Sequence, residues 1–262
     1  MAYIRLNIIL LILLASSFVG AQSFSGYDTG VESKGILYNK EKAFKARLQT
    51  NGFNIGWYSG KIRTYYKTNF THYEIGYLKN NHELSQRFDY SNPFTSQSAR
   101  SFVFGKQNSL YVARVGFGQK YYYSDKQRHR GISIGSTYEF GGILGLKKPY
   151  YLELIRYKDN GSSAYLSKEK YSEENKEVFT DLSRIFGGPS FFEHWDEVRP
   201  VPGVYGRAGM LFEWDTLEGY FTGVEAGIQA DAFPTTVNLM IDQPKQIIFI
   251  NLYLSVEIGK RK

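Results

Sequence analysis

Apolar and polar residues alternate along most of the chain, and the alternation is clearest near the carboxyl terminus. One face there carries only aliphatic residues: Ile248, Ile250, Leu252, Leu254, Val256 and Ile258. The other face includes Asn251, Ser255 and Glu257. A period of two is typical of a β-strand with one apolar and one polar face. The same pattern predicts eight strands, at residues 43–58, 61–78, 109–123, 131–140, 149–157, 203–214, 219–230 and 246–258.

Aromatic residues repeatedly mark the ends of these apolar faces, as Tyr111 and Tyr123 do in one segment and Trp214 in another. The opposite faces hold small residues beside isolated charges. An outward apolar band with aromatic girdles and a polar interior is typical of a transmembrane β-barrel, whose strands cross with about 9–11 residues. A soluble β-sandwich also alternates, but its outward face is polar along its whole length. The pattern therefore favours an all-β fold, a transmembrane antiparallel β-barrel of about eight strands.

Two places leave ten strands as an alternative. The apolar phase of segment 43–58 switches at Asn51-Gly52, a dipeptide typical of either a β-bulge or a hairpin turn. Residues 101–104 could add another strand. An even number of strands places both termini in the periplasm. With the eight strands above, residues 158–202 lie outside the cell, but residues 79–108 become a long periplasmic loop, which conflicts with the short periplasmic turns of such barrels.

The longer of these loops, residues 158–202, contains apolar residues at helical spacing. They recur from Val178 to Phe186 and again from residue 191, so we expect two short amphipathic helices. The second helix is a candidate surface for a protein partner, and the alternative is that both helices fold over the barrel rim. Its apolar residues are Phe191, Phe192, Trp195 and Val198.

The amino terminus indicates export. Residues 1–21 combine Arg5, an apolar stretch from Ile8 to Val19 and a small final residue, as a cleavable signal peptide does. An uncleaved membrane anchor is the alternative, but the apolar run is shorter than the ~20 residues that a spanning helix needs. We therefore predict a periplasmic segment over residues 22–42, a barrel over residues 43–262, and a location in the outer membrane of a Gram-negative cell.

Charge is unevenly distributed along the chain, whose net charge is +7. Residues 34–130 hold 17 Lys and Arg against 5 Asp and Glu, whereas residues 131–262 hold 14 against 18. Closing the sheet brings basic strands opposite acidic ones, and charges in a narrow lumen are costly unless they are paired. An eight-stranded barrel is just wide enough for its side chains to fill it. We therefore predict a lumenal ion-pair network formed by Lys45, Arg47, Arg114, Lys120, Glu139, Glu153, Arg207, Glu213, Glu225 and Glu257.

Composition and motifs give no sign of catalysis. The chain has no Cys, which excludes disulfides, thiol nucleophiles, iron–sulfur clusters and Cys-ligated zinc. No metal, phosphate-loop or hydrolase motif is present. The nearest catalytic candidates, His194 with Asp196 and His129 with Ser133, lack a characteristic spacing. We expect no enzymatic activity and no cofactor, and the pattern of an exported barrel makes nucleic acid a poor partner.

Six short stretches carry a family resemblance: Thr50–Gly52, Gly105–Asn108, Lys148–Leu152, Val201–Tyr205, Ala230–Pro234 and Val256–Arg261. With them the chain resembles the small outer-membrane β-barrel proteins of Bacteroidota, a porin-like or OmpA-like group. The resemblance implies a fold and a location, and it carries over no catalytic residues. One departure is that the chain does not end on the aromatic residue that typically closes a barrel's assembly signal; Ile258 holds the nearest equivalent place.

Three functions are compatible with these features. The first is a non-enzymatic barrel with a filled lumen, acting as a structural or accessory subunit of an envelope assembly such as secretion or barrel-assembly machinery. Its expected partners are outer-membrane lipid, including lipopolysaccharide, and proteins of a larger envelope complex. The alternatives are a small porin for small solutes and a lipid-modifying outer-membrane enzyme.

Overall fold

A computed structural model describes residues 38–87, 99–123, 132–157, 164–188, 190–215, 219–241, 243 and 246–262. In chain order its strands are β1 (Lys40–Gln49), β2 (Gly52–Thr64), β3 (Lys67–Leu78), β4 (Ser85–Gln86), β5 (Phe102–Val103), β6 (Asn108–Tyr122), β7 (Ile132–Pro149), β8 (Tyr151–Tyr157), β9 (Ala164–Lys170), β10 (Ile185–Gly187), β11 (Arg199–Asp215), β12 (Tyr220–Val237) and β13 (Gln246–Arg261). Eight of them close into an antiparallel barrel in the order β1–β13–β12–β11–β7–β6–β3–β2. The predicted all-β, eight-stranded barrel is confirmed.

The remaining elements lie in the connections between barrel strands. β8, β9 and β10 form a three-stranded sheet in the order β10–β8–β9, and β4 pairs with β5. Between β9 and β10 lie a 3₁₀ turn at Glu173–Asn175, the helix α1 (Lys176–Phe179) and a second 3₁₀ turn at Leu182–Arg184. No helix in the described part of the chain is long and apolar enough to span a bilayer.

The predicted number of strands is right, but two of the assignments differ. Segment 43–58 contains two strands, because β1 and β2 pair as a hairpin with Gly52 at a φ of 146°. The turn is formed by Thr50 and Asn51, and a Cβ on Gly52 directly after it would lie 1.9 Å from the Tyr77 carbonyl oxygen, so this position requires glycine. Segment 149–157 forms β8 of the separate sheet instead of a barrel strand. Residues 101–104 contribute only β5, so the ten-stranded alternative is wrong.

The extra hairpin changes where the long loops lie. The chain enters β1 beside its own carboxyl terminus, where Lys40 and Lys262 exchange backbone hydrogen bonds of 2.8 Å. We call this the terminal end of the barrel, and the opposite end the loop end. Because β1 and β2 are separate strands, residues 79–107 and 150–198 both connect strands at the loop end. The predicted conflict over residues 79–108 therefore disappears.

The predicted helix on Phe191, Trp195 and Val198 is wrong, because residues 191–198 form turns. His194 has a φ of 58°, which interrupts a right-handed helix. The Trp195 indole nitrogen donates to the Phe191 carbonyl at 2.9 Å, so a side chain occupies the acceptor that the helical backbone N–H of Trp195 would use. The other predicted helix is reduced to α1 and two 3₁₀ turns, since Ile185 pairs with β8 as part of β10.

Candidate functional site

The interior of the barrel is filled by buried ionic side chains. Along β1, Lys45 and Arg47 point inward and are buried, whereas Phe44 and Leu48 point outward and are exposed. Among the described residues, interior ion pairs join seven carboxylates and six cations. They are Glu41, Glu74, Glu139, Glu213, Glu225, Asp231 and Glu257, with Lys45, Arg47, Arg114, Lys120, Arg207 and Arg261.

These groups form two clusters, of which the first is the arginine cluster of Arg47, Arg114 and Arg207 with Glu74, Glu139 and Asp231. Arg114 lies at its centre. Its Nε and Nη2 atoms donate to the two oxygens of Asp231 at 3.2 and 2.8 Å, and Nη1 donates to Glu74 at 2.9 Å. A planar guanidinium that engages two carboxylates in this way fixes the distance between strands β3, β6 and β12.

Arg207 makes the second set of contacts in the arginine cluster. It donates to both oxygens of Glu139, from Nε at 2.8 Å and from Nη2 at 2.6 Å, and to Glu74 at 3.0 Å. Arg47 donates to the same Glu74 carboxylate. His72 lies against Arg207 and places Nδ1 3.3 Å from Glu139. The imidazole is therefore part of a packed ionic lattice.

The second group is the lysine cluster, which lies nearer the terminal end. Lys45 contacts Glu225 at 2.9 Å and Glu257 at 2.8 Å, and Lys120 contacts Glu257 at 2.6 Å. Arg261 pairs with Glu41 and Glu213, which closes this cluster between the first and last strands. The cluster joins β1, β6, β11, β12 and β13.

Hydroxyl groups satisfy carboxylate oxygens that the cations leave open. Tyr253 and Thr137 each donate to Glu225 at 2.6 Å, and Tyr122 donates to Glu213 at 2.9 Å. Buried charges are costly unless they are paired and their remaining hydrogen-bonding positions are filled, so these neutral donors are part of the network.

Apolar side chains close the lumen at both ends of the ionic region. At the loop end a cluster of ten buried hydrophobic residues lies above the arginine cluster: Leu78, Leu110, Val112, Ile143, Val201, Tyr205, Phe233, Val237, Leu239 and Phe249. At the terminal end, Tyr58 and Phe221 pack with Ala43 and Phe70. Lys120 lies over both Tyr58 and Phe221, 4.4 and 5.2 Å from the ring centroids. The lumen of the described barrel is thus occupied along its length.

The structure places nine of the ten predicted network residues inside the barrel. Glu153 differs: it lies in β8, in the three-stranded sheet, because the strand predicted over residues 149–157 does not join the barrel. Four carboxylates or cations of the network lie outside the predicted set: Glu41, Glu74, Asp231 and Arg261. Glu41, Asp231 and Arg261 fall just beyond the predicted strand ends, and extending each strand with the same parity would have placed them inward.

The predicted interface residues lie on the outer side of the barrel at the loop end. Phe191 and Trp195 pack together with ring centroids 5.7 Å apart, and Trp195 lies 5.3 Å from Tyr111 on β6. Phe192 extends from this group and is 84% exposed. Val198 is half-buried. Lys148 anchors the segment by donating to the Phe191 carbonyl at 2.6 Å.

The remaining catalytic candidates are not assembled into a site. His194 stacks on Tyr151 with centroids 3.8 Å apart, and Ser133 is buried in β7. His129 and the amino-terminal segment 1–37, with the predicted signal peptide, lie outside the described residues. Among the residues that are described, no cluster of three His, Cys, Asp or Glu could hold a metal ion.

In the three-stranded sheet, Arg156 and Glu169 form an ion pair between neighbouring strands. Arg156 on β8 donates to both oxygens of Glu169 on β9, at 2.8 and 2.7 Å. Asn175 also donates to Glu169 at 2.9 Å. These hydrogen bonds, chiefly from Arg156, lower the pKa of Glu169 from 4.5 to about 2. The carboxylate is therefore ionised over the whole neutral range.

No protein-family model matches this chain, and no curated protein matches it. Three solved barrels are similar in topology. The N-terminal β-barrel domain of Pseudomonas aeruginosa OprF is 8% identical, with a TM-score of 0.34, over 85% of this chain and 97% of that one. Neisserial surface protein A is 9% identical, with a TM-score of 0.33, over 86% of this chain and 97% of that one. Ail, the attachment invasion locus protein of Yersinia pestis, is 6% identical, with a TM-score of 0.34, over 86% of this chain and 100% of that one. We draw no functional conclusion from similarity at this level.

Proposed function

We propose that this chain is a non-enzymatic outer-membrane β-barrel protein whose lumen is filled. The observation that carries the proposal is the opposite character of its two surfaces. On β13, Leu254 and Ile258 are 51% and 60% exposed, whereas Glu257, which lies between them in the sequence, is 1% exposed. Every described carboxylate of the eight barrel strands is buried inside. A continuous apolar wall is unfavourable in water, because soluble monomers rarely expose apolar patches larger than a few hundred Å², but it suits lipid.

The ends of the barrel support an orientation. With eight strands both termini lie at one end, which in such proteins faces the periplasm. The long connections of residues 79–107 and 150–198 then face outside. At that end Tyr77 and Tyr111 lie on the outer wall with centroids 5.3 Å apart, close to Trp195, as an interfacial aromatic girdle does. Cleavage of residues 1–21 and the Bacteroidota lineage stay predictions.

Membrane insertion is tested by folding the purified chain into lipid vesicles and comparing heated with unheated samples on a gel. We expect the unheated band to migrate differently and the protein to stay with the vesicles after carbonate washing. A band that never shifts, from protein released by the wash, would contradict the proposal.

For its role in the cell, we propose a structural or accessory subunit of an envelope assembly. The support is a lumen closed by two ionic clusters and an apolar cluster, together with the exposed rings of Phe191, Phe192 and Trp195 at the loop end. A photo-crosslinking residue at Phe192, with Lys176 on the same end as the matched exposed position, tests the role in native membranes. We expect protein adducts at position 192 above those at position 176. Recovery of monomer alone would contradict an assembly role.

A narrow channel is the second candidate, and a specific observation favours it. Several buried polar atoms of the described barrel have no hydrogen-bond partner, among them Arg47 Nε and Nη2, Asn54 Nδ2 and Asn251 Nδ2. Buried polar atoms without protein partners are usually satisfied by water. Small ions would pass only through a continuous file of such waters that also reaches past the apolar clusters at both ends of the lumen. Stepwise currents in planar bilayers would favour the channel, and silence of verified inserted barrels would favour the accessory role.

A further inference from the structure

A groove of about 690 Å³ lies on the outer wall of the barrel near the terminal end. One side of it carries three lysines, Lys40 and Lys42 on β1 and Lys61 on β2. Neighbouring positions carry neutral hydrogen-bonding side chains: Ser59, Asn69, Thr71 and Gln119. We call this surface the lysine groove. The remaining lining on β6 and β7 includes the aromatic residues Phe117, Tyr138 and Phe140.

The lysines of the groove repel one another across neighbouring strands. Lys40 lies directly opposite Lys61, and Lys42 lies directly opposite Lys260 on β13, a lysine outside the groove whose ammonium donates to the Tyr220 hydroxyl at 3.2 Å. Like charges in directly opposite positions destabilise a sheet. The barrel-strand carboxylates whose side chains the structure describes are all buried inside, so none of them compensates these lysines on the outer wall. An anion bound in the groove beside Lys40, Lys42 and Lys61 would offset this repulsion.

The neutral side chains supply further donors. Ser59 and Thr71 face each other across β2 and β3 on the outer wall. Gln119 Nε2 donates to Asn69 Oδ1 at 2.9 Å, which occupies the acceptor of that amide and leaves the Asn69 Nδ2 atom as a donor. Ammonium groups beside hydroxyl and amide donors match the oxygens of a phosphate.

The residues next to the groove, toward the loop end, are aromatic. Phe44, Trp57 and Tyr73 occupy successive opposite positions on β1, β2 and β3 and are about half exposed. Aromatic side chains at this height are typical of the boundary between head groups and acyl chains. A molecule with an anionic head in the groove and apolar chains on the aromatic row fits both surfaces.

We propose that the lysine groove binds the phosphate of an anionic glycerophospholipid in the membrane leaflet at the terminal end. This inference rests on the proposed membrane location. The lysine ammonium groups contact the phosphate, Ser59 and Thr71 donate to its oxygens, and the acyl chains lie along Phe44, Trp57 and Tyr73. The site is therefore a specific position on the outer wall, defined by these residues of β1, β2 and β3.

The test uses the full chain in nanodiscs of equal phosphatidylglycerol and phosphatidylcholine, with native mass spectrometry of the lipid retained after release. The groove variant is Lys40→Gln/Lys42→Gln/Lys61→Gln. The matched control is Lys79→Gln/Lys168→Gln/Lys176→Gln, which removes the same charge from exposed sites at the loop end. We expect wild type and control to retain phosphatidylglycerol preferentially, and the groove variant to lose at least about fivefold of this preference.

Three results would overturn the inference: equal retention by the groove variant and wild type, equal loss in the control, or no preference in wild type. Adding inorganic phosphate to the released protein separates lipid from free anion. Retention that phosphate cannot displace supports a lipid site, and binding of phosphate alone overturns it. The unheated gel band of each sample reports insertion, so a barrel that inserts without lipid preference overturns this inference and leaves the proposed function intact.

Discussion

The two faces of each barrel strand are built for different surroundings, and neighbouring residues show the contrast. On β6, Arg114 is 1% exposed and bonds to three side chains, Asn54, Glu74 and Asp231, whereas the next residue, Val115, is 45% exposed. In a water-soluble barrel the charged residue would face out. The interior of the barrel therefore supplies its own counter-ions and hydrogen-bond donors, while the exterior requires an apolar medium.

The contrast also locates the stability of the fold. Inward charges are desolvated, so each depends on partners from several strands, and loss of one leaves others unpaired. Outward residues have no such partners, and their contribution depends on the lipid. The effect of an inward substitution on stability should therefore depend on the ion pairs that it breaks. The effect of an outward substitution should depend on how deep the residue lies in the bilayer.

The largest effect is expected from Arg114→Met. This change removes the guanidinium that binds both oxygens of Asp231 and one oxygen of Glu74 inside the barrel. Breaking a buried pair in this way costs about 3–5 kcal/mol. Urea unfolding in vesicles, followed by loss of the unheated gel band, measures the free energy. The control is Val115→Met, which should change it by no more than about 0.5 kcal/mol. Equal effects of the two substitutions on the free energy of unfolding would contradict the different roles of the inward and outward faces.

A new charge on the outer wall should destabilise the barrel more, the closer it lies to the middle of the bilayer. Leu254→Arg places a cation on the apolar band of β13 and should cost about 2–4 kcal/mol in the same unfolding experiment. Lys260→Arg, on the same strand near the terminal end, keeps an existing charge and should be nearly neutral. If Leu254→Arg were tolerated as well as Lys260→Arg, position 254 would face water instead of lipid.

The smallest effect is expected in the three-stranded sheet, where Glu169 pairs with Arg156 at the surface. Because the pKa of Glu169 is lowered from 4.5 to about 2, its stabilisation is complete above pH 4.5 and is lost as the pH falls toward 2. Glu169→Gln should remove at most about 1 kcal/mol. Hydrogen exchange of β8 and β9, compared between wild type and variant at each pH, should differ at pH 6, and the difference should shrink as the pH falls toward 2. A difference at pH 2 as large as that at pH 6 would contradict the ionic cause.

The period of two was sufficient to predict the barrel and the direction of most inward charges, because a strand fixes the side of each residue once its parity is known. It could not identify the partner of a strand. Residues 151–157 alternate as barrel strands do, yet β8 pairs with β9 and β10. Whether Asn51-Gly52 marks a bulge or a turn likewise depends on whether the segments on either side of it pair with each other, as β1 and β2 do.

Strand ends were predicted less well, for a physical reason. β7 continues to Pro149, beyond the predicted end at residue 140. The prediction ended too early because the inward residues of this strand change from polar to apolar at Ile143. There the lumen is closed by hydrophobic packing, so the contrast between faces disappears from the sequence. The predicted helix at residues 191–198 failed because the aromatic rings pack on Tyr111 of the outer wall, a contact that helical spacing alone cannot reveal.

The central claim is tested most directly by mapping the environment of each residue along β13. The chain has no Cys, so single cysteines can carry a spin label at each position from 250 to 258 without background. In vesicles, we predict that labels at positions 250, 252, 254, 256 and 258 collide with lipid-soluble oxygen, and that labels at positions 251, 253, 255 and 257 are shielded from it. Two results would contradict a lipid-facing outer wall. One is an oxygen accessibility that does not alternate with a period of two, and the other is contact of the labels at even positions with a water-soluble relaxant.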